Sequence, residues 1–338
     1  MLSKKIPLLY LAVSALIASV ATLFAFKSYN GGLNYNFYED NDHSVSKAGP
    51  VECKPQIARL AGYTFTHPLL SSEPECESNR FIHLKASILN FIERQQDDNQ
   101  ISAASVYIKD ISSNEWVNIN SRISYHPGSL FKLVTLITYL RMAETDKGLL
   151  KREISYQQTG AIPHQTFNSK TITPGNKYTI EQLLHYMIAY SDNNATLLLN
   201  QNMNITIFEN IFTDLGLQKP NVHDRSYVIS ARDYSRFLMI LYNAVYLSVS
   251  NSEYAISLLC ECDFKDGIAK ELPDDIKIAH KFGQAKESDL IELHESAIVY
   301  LKDKPYLLTV MTKGTDVSKL AGTISSISKM VYERMSAN

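Results

Sequence analysis

Segments with strand character stand at both ends of this 338-residue chain, and a long helical stretch separates them. "ISAASVYIKDI" and "EWVNINSRI" come early, with a turn at Ser112–Asn114; "IKIAHKFGQ", "LIELHESAIVYL" and "PYLLTVMTKG" come late. Their β-branched and aromatic content at alternating spacing is what a half-buried strand needs. A sheet built from both ends has to close around the middle. That predicts one α+β unit of two lobes with a groove between them.

The middle reads as helix by its caps. Thr179 with Gln182 forms a capping box opening "YTIEQLLHYMIAY", "ITIFENIFTDLGL" ends at Gly216, and Ser230 with Asp233 opens "SARDYSRFLMILYNAVYL". A helix from Asn79, "NRFIHLKASILNFIERQQ", precedes the first strand, and "DVSKLAGTISSISKMVYERM" closes the chain from Asp316.

Ahead of this unit, Lys4 and Lys5 are followed by the 21 uncharged residues Ile6–Phe26 and then by Lys27. Such a run matches the hydrocarbon thickness of a bilayer. Lysines on its short N-terminal side keep that end in the cytoplasm and place the rest outside. Residues 1–27 are therefore expected to be a cytoplasmic stub and transmembrane anchor. A cleaved signal peptide, with Ser19 and Ala21 as small residues at the cut, is the rival. Either reading exports the protein to the periplasm or cell surface. Residues 28–60, polar and aperiodic, read as a linker, and 61–338 as the folded domain.

Composition narrows the function. Hydrophobic residues make up 45% of the chain, enough for a substantial core, and 33 basic against 35 acidic residues leave a net charge of −2. No basic block with interleaved aromatics occurs, so nucleic acid is excluded as a partner. Cys53 and Cys76 lie where a disulfide could staple a poorly packed stretch, whereas Cys260 and Cys262 are read as small buried hydrophobes. Their spacing does not resemble a zinc site, and neither metal nor cofactor is expected.

Three Ser-x-x-Lys matches occur: Ser44–Lys47, Ser129–Lys132 and Ser326–Lys329. Only the second sits after a Pro-Gly break, with Lys132 one turn along a mostly apolar helix from Ser129. Free backbone N–H groups at a helix start suit a developing oxyanion. An ammonium desolvated by Phe131, Leu133 and Leu136 would have a lowered pKa and could take the Ser proton as neutral amine. An N-capping Ser beside a snorkelling Lys is the bland alternative. Further on, Ser191-Asp192-Asn193 joins two helical runs, where it could be a cap and nothing more. Lys281-Phe282-Gly283 lies on a late strand.

In this order and on these elements, the three motifs resemble the Ser-x-x-Lys, Ser-Asp-Asn and Lys-Thr-Gly set of class A β-lactamases and penicillin-binding serine hydrolases. The resemblance runs from about Tyr63 to Val331. It implies a β-lactamase/transpeptidase-like fold, an antiparallel sheet flanked by helices plus a helical lobe. It makes Ser129 the acylated nucleophile, Lys132 its base and Ser191 the proton relay to the leaving nitrogen. Asn193 would hold a substrate amide, Asp192 would fix the loop, and Lys281 would supply positive charge. The N–H groups of Ser129 and Gln284 would form the oxyanion hole, and Gly283 would let substrate backbone approach.

Two departures stand out. Phe282 occupies the place of a Thr or Ser whose hydroxyl helps bind the substrate carboxylate. Losing a charge-assisted hydrogen bond of about 1.5–3 kcal/mol weakens such substrates roughly 10- to 150-fold. In "LGLQKPNVHDRSYVIS" there is no Glu in position to activate a deacylating water; Asp224 and His223 are the available substitutes, each with a simpler reading as a loop residue. Slow deacylation follows, since general-base help is worth about 10²–10⁴ in rate. His280 is read as structural, and strand alternation predicts that one of His294 and Glu295 is exposed. Two functions remain: a serine hydrolase acting on a β-lactam or cell-wall peptide, or a catalytically impaired relative whose groove binds a wall peptide or protein partner.

Overall fold

The computed structural model describes residues 55–60, 68–157, 167, 169–221, 226–302 and 304–337. The expected anchor, most of the linker, Cys53, His223 and Asp224 lie outside them. Among the described residues no helix is long and apolar enough to cross a membrane.

Two small antiparallel pairs sit outside the main sheet: β1 (Pro55–Arg59) with β2 (Leu69–Pro74), and β5 (Glu153–Ser155) with β6 (Lys177–Thr179). The first revises the linker. Residues from Pro55 onward belong to a ladder, with Ile57 opposite Ser72 and Ala58 opposite Ser71. Pairing rather than hydrophobic alternation makes this strand, so no period marks it in the sequence. Cys76, just past β2, is disulfide-bonded.

The main sheet has β3 (Ala103–Asp110), β4 (Trp116–Ile119), β7 (Lys277–Glu287), β8 (Leu290–Tyr300) and β9 (Tyr306–Gly314), in the order β4-β3-β9-β8-β7 and antiparallel throughout. Both ends of the chain thus meet in one sheet, β3 against β9. On one face lie α1 (Ile82–Asp97) and α8 (Val317–Ser336), whose Ile88, Ile92, Ile324 and Ile327 pack with Val106, Ile108, Leu308 and Val310 of the strands. On the other lies the helical lobe: α2 (Phe131–Thr145), α3 (Ile180–Ala189), α4 (Asn193–Asn202), α5 (Ile205–Asp214), α6 (Ala231–Tyr242) and α7 (Val249–Cys260). Tyr107, Ile298, Leu307 and Met311, the alternate strand residues, join that second core.

The expected caps are present. Thr179 and Gln182 make both bonds of the capping box, and the Ser230 hydroxyl accepts from Asp233 N. The helix opened by Ser230 stops at Tyr242, short of Leu247: Ala244 takes φ +47°, and Ser248 caps the next helix, α7. Cys260 ends α7, and both it and Cys262 are free thiols.

Because helices cover both faces, alternation along β8 leaves no exposed side. The expectation that either His294 or Glu295 faces solvent is therefore wrong: both are fully buried. A period-2 pattern distinguishes two faces but does not say that one of them is wet.

Candidate active site

Helix α2 is buried almost all round, including Lys132, and forms the axis of the helical lobe. Such a helix has no polar face on which Lys132 could sit by default. The 3₁₀ turn Gly128–Leu130 leads into it, so Ser129 stands in the turn just before the helix. That turn lies directly against β7. Gly128 has φ +52°, and a Cβ there would fall 2.2 Å from the Gln284 carbonyl oxygen. Across the contact, a Cβ on Gly283 would fall 2.5 Å from Pro127 O and 2.7 Å from Leu130 N. Only two glycines let these backbones touch, and the touch brings Ser129 and Gln284 side by side.

The chain entering the turn is held from β8. His126 N–H donates to Glu292 Oε2 at 2.7 Å, and His126 C=O faces His294 Nε2 at 3.1 Å. His294 Nδ1 accepts from Thr312 N–H, so Nε2 carries the proton and donates. Tyr125 pairs with Ile229 through both backbone groups. These anchoring residues were not singled out as part of the site from the sequence; a Glu and a His within an apolar strand were the available signal.

Ser191 links α3 to α4 in the left-handed region, φ +53°, an uncommon backbone for a residue with a side chain. Asp192 over-determines the link. Its Oδ1 accepts from Asn194 N–H and from the Thr171 hydroxyl, and its Oδ2 from Ile172 N–H, each at 2.9 Å. Asp192 thus fixes the loop, while Ser191 and Asn193 turn toward Lys132.

Three motif segments meet at Ser191. Lys132 Nζ donates to Ser191 O at 2.5 Å, to Ser191 Oγ at 3.0 Å and to Asn193 Oδ1 at 2.9 Å. From the opposite side Lys281 Nζ donates to the same Ser191 Oγ at 3.0 Å and to Phe282 O at 3.0 Å. Ser191 and Lys281 are wholly buried, Lys132 nearly so, and Ser129 is partly open. Burial pushes the Lys132 ammonium well below its ordinary range, and the Lys281 charge pushes it further, against a smaller pull from Asp192. Burial also brings Lys281 down to about 8, although the charges of Asp263 and Glu295 favour its ammonium form. Two cations on one hydroxyl in a dry site make proton release easy. This arrangement can shuttle a proton between an amine and a hydroxyl beside Ser129.

The expected residues do not all converge. Ser129, Lys132, Ser191, Asn193, Lys281, Gly283 and Gln284 lie around the turn, but Phe282 points to the other face of β7. It is 4% exposed, stacked on Phe264 at 4.4 Å between ring centroids, with Phe167 edge-on at 5.8 Å. Its place among substrate-binding residues is thereby corrected: the ring fills the core beneath α1 and α8 rather than the groove, because strand alternation puts it on the face opposite Lys281 and Gly283. Lys281 Nζ bends round the strand edge to lie 4.1 Å from the same ring centroid. His280 shares the Phe282 face and places Nδ1 2.6 Å from buried Glu295 Oε1, whose Oε2 accepts from Ile268 N–H.

His126, Glu287 and Glu292 are close enough to share a metal ion, but Lys313 forms ion pairs with both carboxylates and already offsets part of their charge. The donor set does not fit a divalent cation without expelling that lysine.

The beta-lactamase enzyme family model matches residues 84–335. No curated protein matches the sequence. Among solved structures, a class A beta-lactamase from Bacteroides cellulosilyticus DSM 14838 is 20% identical, with a TM-score of 0.63 over 75% of this chain and 99% of its own. A beta-lactamase from Chitinophaga pinensis DSM 2588 is 19% identical, with a TM-score of 0.64 over 75% of this chain and 100% of its own. A mutant of PBP-A, in an acyl-enzyme complex with penicillin G, is 18% identical, with a TM-score of 0.62 over 76% of this chain and 97% of its own. Matched over most of its folded part, with the fold of these neighbours, the chain belongs to the beta-lactamase enzyme family and is a β-lactamase-like serine hydrolase.

Proposed function

We propose that the protein is an exported, membrane-anchored acyl-transfer hydrolase that opens an amide by acylating Ser129 and releases the acyl group slowly. The amide is a β-lactam or a peptidoglycan peptide. The observation that carries this reading is the convergence of Lys132 and Lys281 on Ser191 Oγ, 3.0 Å from each, beside the Ser129 turn.

Neutral Lys132 takes the Ser129 proton as Oγ bonds to the carbonyl carbon. The N–H groups of Ser129 and Gln284 hold the oxyanion. As the C–N bond breaks, Ser191 gives its proton to the leaving nitrogen and is reprotonated from a lysine. Water must then cleave the ester. The described part of the loop expected to carry a deacylating base, residues 215–221 and 226–230, contains no Asp or Glu. Without general-base help of about 10²–10⁴, the ester persists. Anchoring rests on the uncharged run Ile6–Phe26 alone.

One observation favours a binding module instead. Lys132 spends its donors on Ser191 and Asn193, and among the described residues Ser129 Oγ has no hydrogen-bond partner. The two readings separate on one experiment. Incubation with a fluorescent penicillin and with nitrocefin, followed by intact mass, is expected to give a stable adduct that Ser129→Ala abolishes. Rapid nitrocefin turnover would contradict slow release. Failure of both penicillin and a fluorophosphonate to modify Ser129 would leave the binding module.

A further inference from the structure

The two backbone groups assigned to the oxyanion belong to different elements. Ser129 N–H is on the turn before α2, and Gln284 N–H is on β7. Their separation depends on what holds the turn against the strand. The glycine contact at Gly128 and Gly283 sets how closely the backbones approach. Van der Waals contact has no direction, so by itself it does not stop the turn from sliding along β7; hydrogen bonds do have direction.

Strand β8 supplies that restraint. It pairs with β7 so that Gly283 faces His294, Gln284 faces Leu293 and Ala285 faces Glu292. Side chains alternate along a strand, so Glu292 and His294 rise from one face, on either side of the residue opposite Gln284. Both reach the same residue of the turn. Glu292 Oε2 accepts from His126 N–H at 2.7 Å, and His294 Nε2 donates to His126 O at 3.1 Å. One strand thus grips both backbone groups of a residue just ahead of Ser129 and, through its ladder, the strand that carries Gln284.

The two gripping side chains are themselves fixed. Both are buried. Thr312 N–H donates to His294 Nδ1 at 3.3 Å, and the Tyr125 ring stands edge-on to the imidazole at 5.2 Å. Glu292 Oε1 lies 3.4 Å from Lys313 Nζ, and His126 Nδ1 lies 3.4 Å from Glu292 Oε2. Burial would raise the Glu292 carboxyl, but His294, the His126 N–H and Lys313 together hold it below its ordinary range. An ionised acceptor makes the stronger bond to an N–H. Burying a carboxylate is costly, and the proton transfers at Ser129 make no use of this one.

We propose that Glu292 and His294 are positioning residues for acylation: by clamping the backbone N–H and C=O of His126, they hold Ser129 N–H in register with Gln284 N–H. The inference rests on acylation of Ser129 with those two oxyanion donors, and its test separates the clamp from that reading. The full chain is acylated with a fluorescent penicillin, and the saturating rate and half-saturating concentration of the folded protein are read separately. Glu292→Met and His294→Leu each remove one grip, whereas Glu292→Gln keeps an acceptor for His126 N–H. A displacement of about 1 Å costs about 10²-fold. Each loss variant is therefore expected to lower the saturating rate about 10²-fold and to change the half-saturating concentration less than about threefold. Glu292→Gln is expected to stay within about fivefold of the unaltered protein. If one loss variant does not fold, the other carries the test. Folded loss variants that acylate at the unaltered rate, whatever their stability, would overturn the clamp. So would a Glu292→Gln protein as slow as Glu292→Met. No adduct on the unaltered protein would overturn Ser129 acylation, and the clamp with it.

Discussion

The two faces of β7 treat buried charge in opposite ways. Toward the helical lobe, Lys281 and Lys132 share one hydroxyl, two amines with no carboxylate in direct contact among the described residues. Toward α8, His280 meets Glu295 at 2.6 Å, and Glu295 also accepts from Ile268 N–H. On one face the Lys281 charge adds to burial in opposing ionisation of Lys132; the other face pairs its ionisable groups. The unpaired face borders Ser129, and the paired face borders only core. A fold tolerates mutual repulsion where the resulting basicity is useful and neutralises it elsewhere.

The comparison can be broken at four places. Lys132→Met is expected to slow modification of Ser129 by about 10²–10⁴, the range for losing a general base, and, because burial holds the Lys132 ammonium well below its ordinary range, to raise rather than lower the unfolding midpoint at pH 7. Stopped-flow acylation with a fluorescent penicillin measures it; a loss under tenfold would assign the base elsewhere. On the paired face, Glu295→Ala removes the acceptor of a buried imidazole and a buried N–H. Breaking such a pair costs about 3–5 kcal/mol. Urea unfolding is expected to show this while acylation of the folded protein changes less than threefold.

Lys281 provides a test with a sign. Its folded pKa of about 8 lies below its ordinary 10.5. Between those values the unfolded chain binds more protons, so the fold gains stability as pH rises through that window and carries the full penalty below it. Lys281→Met is therefore expected to stabilise the protein by about 3 kcal/mol at pH 7. That gain shrinks toward zero as pH approaches 10.5, even as acylation fails. Unfolding curves at the two pH values decide it, and a destabilised variant at pH 7 would show that the lysine's hydrogen bonds outweigh its burial. The smallest effect is expected from Phe282→Thr. With the side chain at 282 in the core rather than the groove, the preference for a penicillin over its carboxyl ester is expected to change less than about threefold; a gain of about tenfold, the size of a hydrogen bond to a charged group, would place position 282 at the substrate after all.

Much of this was legible locally. Caps at Thr179, Ser230 and Asp316 announced their helices because each satisfies orphan N–H groups with a side chain three residues away or less. The three motif segments were legible as a set, since their residue types and order carried the likeness. What was not legible depended on contacts across the chain. β1 exists because β2 pairs with it. His126 is held by Glu292 and His294, residues more than a hundred and sixty positions away. Phe282 stood in the groove on paper because it replaces a hydroxyl of the family motif; the pleat of β7 put it in the core.

By itself the sequence determined the family, the α+β class and the residues able to do acyl transfer, since composition, caps and motif order are properties of the chain. Only the tertiary structure decided that Lys132 and Lys281 compete for one hydroxyl, that both faces of β8 are dry, and that the Ser129 turn packs directly against β7. The reason is physical. A side chain's basicity and exposure depend on what long-range packing brings beside it, and local periodicity carries no record of those neighbours.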